Sequence, residues 1–302
     1  MFPYKIGHYF KDQHQGHITG LDFDRQDSQL LVACSDDGQV SLYDALRPQH
    51  IKTVKVDNAS LVRFTHHPSA VLVAANNTIL YTSLHDNQCL RKYSFSNASS
   101  VNSLSMSPNE DVFLASTDAS TCLWDLRASK AIGSLSTKAP NMSCYDPQGQ
   151  VFALASESRI VRLFDARNYD KGPFASFEVV DSYRPDVTWS AISFSPDGSE
   201  FIISTKHSVA YVLDSFEGTV KSSLNATFSQ GTSFSADNRF IVAGCQDGSL
   251  AVWDRENGAF EGEPEIIEAH HRHVSALSFN QRHNMFVSAC TFLAFWIPGS
   301  HH

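Results

Sequence analysis

The sequence predicts an all-β chain folded as one closed, seven-bladed propeller. Three observations predict it: an internal period near forty residues, the same strand-and-turn order repeated within each period, and a length that one undivided core would not fill. The chain has 302 residues, 42% of them hydrophobic, with 21 phenylalanines. A single core stops growing near ~250–300 residues, so this length needs either two ordinary domains or many small cores in one architecture. The period decides for the second.

Short segments ending in an aromatic or aliphatic residue followed by Asp recur along the whole chain. They are Leu42-Tyr43-Asp44, Leu84-His85-Asp86, Leu123-Trp124-Asp125, Leu163-Phe164-Asp165, Val212-Leu213-Asp214 and Val252-Trp253-Asp254, with Phe295-Trp296-Ile297 as a degenerate seventh. Their last residues are spaced by 42, 39, 40, 49, 40 and 43, the period of a four-stranded propeller blade.

Each unit opens with an alternating strand such as Leu21-Asp22-Phe23, Leu104-Ser105-Met106 or Ile192-Ser193-Phe194. A turn follows, as at Ser107-Pro108-Asn109 or Ser195-Pro196-Asp197-Gly198, where Pro presets φ and Gly or Asn accepts positive φ. A second apolar run, such as Leu30 to Cys34 or Phe240 to Gly244, leads into a tight turn, Asp37-Gly38 or Asp247-Gly248. Those dipeptides signal hairpins, and the third strand then ends on the aromatic-Asp pair. No apolar i, i+3, i+4, i+7 pattern lasts three turns, so helix is expected to be nearly absent.

The whole chain, 1–302, then forms a single domain. Its blades are expected over residues 11–50, 51–92, 93–134, 135–178, 179–222, 223–262 and 263–297, the last completed by residues 4–10. An open ring would leave an unpaired sheet edge, so the strand-like segment Tyr4 to Phe10 is expected to supply the outermost strand of the last blade.

Composition narrows the function classes. With 23 basic and 32 acidic residues the net charge is −9, which opposes a broad electrostatic footprint on nucleic acid or anionic membrane. No run reaches the length of a membrane helix, and Met1 to Phe10 lacks a signal-peptide profile, so an intracellular, reducing compartment is expected. Cys34, Cys89, Cys122, Cys144, Cys245 and Cys290 stand far apart without a C-x-x-C pair and read as small hydrophobes. The sequons at Asn58, Asn76, Asn97 and Asn225 are then chance matches.

The repeats resemble the WD-repeat family. The segments Tyr81 to Asn87, Leu104 to Pro108, Leu123 to Arg127, Asp170 to Phe177 and Ser288 to Trp296 are similar, within it, to the branch of WD repeat-containing protein 82 and its yeast counterparts. That resemblance implies a seven-bladed WD-repeat β-propeller acting as a non-enzymatic nuclear scaffold, a monomer within a hetero-oligomer that binds peptide segments of partner subunits. It implies two assemblies: the COMPASS histone H3 lysine methyltransferase, and the protein phosphatase 1 module of the cleavage and polyadenylation machinery, which serves transcription termination and mRNA 3′ end processing. The resemblance also implies structural roles for His14, Asp37 and Tyr43 in the first repeat, Ser116, Asp118 and Trp124 in the third, Asp247 and Trp253 in the sixth, and His270, Ser288 and Trp296 in the seventh. The family's hydrogen-bonded His–Asp–Ser/Thr–Trp set reads as incomplete in every blade.

Other constellations carry less. His270-His271-Arg272-His273, with His66-His67 and His14/His17, invites a metal, but adjacent residues of a strand point to opposite faces, so solvated histidines are expected and no metal or cofactor. No G-x-S-x-G, phosphate-cradling glycine loop or H-E-x-x-H occurs. A propeller hydrolase would need carboxylates converging on the channel, whereas most Asp residues here sit in turns.

The spacing of 49 between Asp165 and Asp214 exceeds its neighbours by nine. An insertion that breaks a repeat maps to a surface loop, often a binding loop. This one carries Lys171, Phe174, Phe177, Tyr183, Arg184 and Trp189, an aromatic and basic mixture suited to partner binding; the alternative is packing between blades. Trp124-Asp125-Leu126-Arg127 and Phe164-Asp165-Ala166-Arg167 resemble a W-D-x-R element, and through Arg127 and Arg167 imply an alternative role as a cullin-4 ubiquitin ligase substrate receptor. The acidic run Glu256, Glu261, Glu263, Glu265 and Glu268 reads as a solvated loop or a landing patch for a basic partner.

Overall fold

A computed structural model describes residues 2–11, 14–95, 100–137, 141–156, 159–179, 188–206, 209–226, 228–256, 259–260 and 262–299. It is a ring of seven antiparallel sheets. Strand β1, Tyr4–Phe10, belongs to the last sheet. The first blade comprises β2–β5 (Ile18–Phe23, Leu30–Ser35, Gln39–Asp44, Gln49–Lys55) and the second β6–β9 (Ala59–Phe64, Ala70–Ala75, Thr78–Ser83, Cys89–Ser94). The third comprises β10–β13 (Val101–Met106, Val112–Thr117, Ser120–Asp125, Ala131–Ser136), and the fourth β14–β17 (Met142–Tyr145, Val151–Ser156, Ile160–Asp165, Ala175–Glu178). The fifth comprises β18–β21 (Trp189–Phe194, Glu200–Thr205, Val209–Asp214, Val220–Asn225). In the sixth, β22–β24 (Phe228–Phe234, Phe240–Cys245, Ser249–Glu256) are joined by the short β25 (Ala259–Phe260), and β26 (Glu265–Glu268) also pairs β24. The seventh runs β27 (Ala276–Phe279), β28 (Phe286–Ala289), β29 (Leu293–Pro298) and then β1.

Among the described residues the only helix is a single 3₁₀ turn, Tyr169–Lys171. Strand β1 pairs β29 antiparallel from Tyr4 opposite Pro298 to Phe10 opposite Leu293. The ring is therefore closed by hydrogen bonds between segments almost three hundred residues apart. Irregularities recur near the start of inner strands, between Ile18 and Gly20, Ala59 and Leu61, Val101 and Ser103, and Trp189 and Ala191. Such bulges increase local twist, which lets short blades fan around a channel.

The apolar cores lie between blades. Tyr43, Leu31 and Ile18 of the first blade meet Val287, Leu293 and Phe295 of the seventh. Further buried clusters join the first blade to the second, the second to the third, and the third to the fourth. Others join the fourth to the fifth, the fifth to the sixth, and the sixth to the seventh. Phe2 belongs to the last of these. Polar contacts cross the same seams: Asp22 Oδ2 accepts the Phe64 N–H at 2.7 Å, and Asn280 Nδ2 donates to the Ser28 carbonyl at 2.6 Å.

Trp189 is the main correction. As a candidate rim anchor it would need an exposed indole, yet it is 0% exposed and packs with Ala153, Leu163, Phe201 and Tyr211 between the fourth and fifth blades. The reason is its place at the start of the inner strand β18, where the side chain turns into the seam. Asn58 and Asn76 adopt positive φ, a turn role that accounts for asparagine there. Five of the six cysteines are buried and Cys89 is exposed on β9.

Trp189→Ala should destabilise the protein by about 3–5 kcal/mol, the cost of emptying a large buried aromatic site. The shift in denaturant midpoint at unchanged slope measures it.

Candidate protein-interaction surface

The polar clusters that could be mistaken for catalytic groups hold blades together. In the first blade Ser35 Oγ donates to Asp37 Oδ1 and lies 2.7 Å from His14 Nδ1. His14 Nε2 lies 3.0 Å from the Tyr43 hydroxyl. With the Ser35 proton given to Asp37, Ser35 accepts from His14 Nδ1–H, and His14 Nε2 accepts from Tyr43. Asp37 also takes the N–H groups of Gln15 at 2.8 Å and Gly16 at 3.2 Å. The set is thus complete, with Tyr43 in the tryptophan position and Ser35 as the residue that sequence reasoning missed.

Chemically this differs from a hydrolytic triad, in which the carboxylate orients the histidine. Here it binds the serine, whose side chain is fully buried. Burial works against the Asp37 carboxylate, but the Ser35 hydroxyl and the backbone N–H groups outweigh it and hold its pKa below the usual range. Burial pushes the His14 pKa down.

The seventh blade repeats the device. Trp296 Nε1 donates to Ser288 Oγ at 2.8 Å, and Ser288 Oγ lies 2.7 Å from His270 Nε2. Cys290 Sγ, at the usual aspartate position, lies 3.2 Å from His270 Nδ1. Burial holds the His270 pKa down at about 4.

The third blade corrects the expectation for Asp118. Ser116 bonds Thr121 at 2.8 Å and Ser143 at 2.7 Å, whereas Asp118 accepts from Asn102 Nδ2 at 2.7 Å and takes no part in the serine cluster. Trp124 is buried with its indole N–H unpartnered among the described residues. Asp247 accepts from the Ser249 N–H at 2.9 Å and hydroxyl at 2.6 Å, and Trp253 is buried between the fifth and sixth blades.

The insertion after the fourth blade's third strand divides its residues. Tyr183 and Arg184 lie outside the described residues. Lys171 is exposed at the end of the 3₁₀ turn, and Phe174 is 62% exposed just before β17. Phe177 is half-buried: a Cβ on Gly218 would fall 1.9 Å from its ring, so the ring covers the backbone of the fifth blade's outer turn. Two residues before Gly218 stands Phe216, 82% exposed. The fold therefore brings Lys171, Phe174 and Phe216 to the rim between the fourth and fifth blades. Phe216 carried no sequence signal, because an aromatic residue within a turn does not reveal on which side it lies.

Arg127 and Arg167 are exposed. Arg127 grips Asp125 through Nε at 3.0 Å and a terminal nitrogen at 2.8 Å, and Arg167 reaches Glu110 at 3.4 Å. The histidines scatter: His66 contacts the Glu110 carbonyl, His67 bonds Ser69, and the His17 and His273 rings meet tilted with centroids 4.4 Å apart. Among the described residues no group of three or more His, Cys, Asp or Glu side chains could hold a metal. One section of the channel, about 310 Å³, is walled by inner-strand residues such as Thr19, Arg63, Ser103 and Ser193, and the adjoining mouth carries Arg25 and Asp146.

The buried histidines set a pH dependence. An unfolded His270 protonates near its ordinary pKa of about 6.5, whereas the folded one stays neutral down to about 4. The unfolded state therefore binds more protons between these values, and stability falls as pH drops through that window. About 2 kcal/mol of His270's contribution should be lost between pH 7 and 5, read as a falling urea midpoint. His270→Asn should flatten that slope; an identical slope in the variant would contradict the assignment.

The comparisons agree with this geometry. The family described as WD domain, G-beta repeat matches residues 8–44, 87–125 and 210–254. The chain is 33% identical to WD repeat-containing protein 82 of Drosophila melanogaster, over 98% of this chain and 95% of the relative. It is 37% identical to the Arabidopsis thaliana protein ANTHESIS POMOTING FACTOR 1, over 97% and 90%. It is also 28% identical to COMPASS component SWD2 of Saccharomyces cerevisiae, over 93% and 91%. With its repeats, its ring of seven sheets and this end-to-end likeness, the chain belongs to the WD-repeat family, in the branch that includes WD repeat-containing protein 82.

Proposed function

We propose that this chain is a non-enzymatic scaffold subunit of a nuclear COMPASS-type histone H3 lysine methyltransferase assembly, binding peptide segments of its partner subunits. The observation that carries the reading is the likeness to COMPASS component SWD2, which spans 93% of this chain and 91% of that protein. A likeness that spans the whole ring suits a protein used through its surfaces. The internal geometry supports the same role: His14, Ser35 and Asp37 in the first blade and His270 and Ser288 in the seventh are committed to bonds that tie segments of one blade together.

The rim between the fourth and fifth blades is the proposed contact surface. Exposed aromatics beside a basic residue are effective anchors for a peptide, and Phe174, Phe216 and Lys171 supply them. Service in the protein phosphatase 1 module of the cleavage and polyadenylation machinery is the finer part of the proposal. An acidic scaffold would reach chromatin or transcripts through its partners. The exposed Arg127 and Arg167 favour a second reading, a cullin-4 ligase receptor, although Arg127 is already engaged by Asp125.

Affinity purification of the intact protein from nuclear extract separates these readings. Methyltransferase subunits are expected, joined by phosphatase and polyadenylation subunits if both assemblies are served; the cullin-4 adaptor alone would overturn the scaffold proposal. The double variant Phe174→Ala and Phe216→Ala should reduce recovery of the partners at least about tenfold, as loss of two interface anchors does, without moving the melting temperature. Full recovery would remove this surface.

A further inference from the structure

A second surface lies on the ring between the sixth and seventh blades. It is a cavity of about 560 Å³ whose two walls differ in chemistry. The sixth blade contributes carboxylates: Asp247 from the turn before β24 and Glu268 from the end of β26. The seventh contributes aromatic rings: Phe292 from the turn before β29, and Tyr9 from the closing strand β1. The rings of Tyr9 and Phe292 meet edge to face with centroids 5.7 Å apart. His270 lines the base, its ring 4.6 Å from that of Phe292.

We propose that this cavity binds an arginine side chain presented by a peptide segment of a partner protein. A planar guanidinium can stack on an aromatic face while it donates two hydrogen bonds to a carboxylate, a combination that a lysine ammonium cannot match. The walls offer both halves of that recognition. The aromatic wall already accepts a cation, because Lys11 Nζ sits over the Tyr9 ring at 5.2 Å from its centroid. No ion pair involving Asp247 or Glu268 is found among the described residues.

The electrostatics favour the same ligand. The Ser249 hydroxyl and N–H hold the Asp247 carboxyl below its usual range, so it is ionised at neutral pH. Burial keeps His270 neutral there, so that ring adds no positive charge against the ligand; the lining's lysine, Lys11, faces the carboxylates of Asp247 and Glu268 in the same cavity. Two comparable spaces between other blades lack the combination, and the one at the channel mouth, which sets Tyr145, Phe194 and Phe234 near Asp146, also holds Arg25. The one between the second and third blades is lined by Phe95, Trp124 and small hydroxyl residues without a charged group, and the one between the first and second carries Lys55, Asp57 and Lys92 without an aromatic ring. This site is separate from the rim of the fourth and fifth blades and stands whichever assembly the protein joins.

Titration of the full chain with N-acetyl-arginine amide, followed through the NMR ring signals of Tyr9 and Phe292, tests it. The neutral citrulline analogue serves as control. Arginine amide should shift both rings and citrulline amide should leave them in place. The double variant Tyr9→Ala and Glu268→Gln should weaken binding about tenfold, read at Phe292, because it removes one ring face and one carboxylate. Lys11→Ala should tighten binding about threefold by vacating the ring and removing a like charge. A response to citrulline equal to that to arginine, no shift with either, unchanged affinity in the double variant, or weaker binding in Lys11→Ala would overturn the proposal.

Discussion

The pairing of β1 with β29 is the contact on which the rest of the molecule depends. Every apolar cluster described lies between two blades, so no blade can bury its faces alone. A ring satisfies that need only if it closes; an open stack would leave two apolar faces and a sheet edge in water. Here the last blade borrows its outer strand from the start of the chain. The same strand places Tyr9 beside Phe292, so the closure that stabilises the ring also builds one wall of the cavity between the sixth and seventh blades.

A second constraint acts on polar groups. Blade ends bring buried donors and acceptors together, and each must find a partner. The first blade solves this with His14, Ser35, Asp37 and Tyr43, and the seventh with His270, Ser288, Cys290 and Trp296. The third blade uses Ser116, Thr121 and Ser143 across a seam and leaves the Trp124 indole outside the network. The family's hydrogen-bonded set is thus a role that several residue types fill. In these networks histidine, serine and aspartate are structural.

Much of this was legible in the sequence because a propeller is written in repeats. The spacing of aromatic-Asp pairs marks the third strands, and the alternation around Leu21, Leu104 and Ile192 marks the inner ones. Closure by Tyr4 to Phe10 followed from the need to pair the last edge. Side-chain direction was harder to read. Trp189 looked like a rim anchor because it stood at the end of an irregular insertion, yet the inner strand turns it into the seam. Ser35 was missed since a serine at the end of an apolar strand has no distinctive spacing until the strands pair. Phe216 was missed since its exposure depends on how the fifth blade's turn projects beyond Phe177. The cavity between the sixth and seventh blades was illegible for a different reason: residues 247, 268 and 292 come from two consecutive blades, and residue 9 joins them only through ring closure.

Native-state hydrogen exchange of the β29 amides tests most directly the claim that closure is part of the global fold. The contributing amides are those between Leu293 and Ile297 that face β1 rather than β28, compared with those of the central strands β7 and β19. If the closing pair belongs to the same cooperative unit, both groups should exchange with the same opening free energy, equal to that of global unfolding. Exchange of the β29 amides through a local opening far below the global value would contradict it, and would show that the ring stands without its first strand.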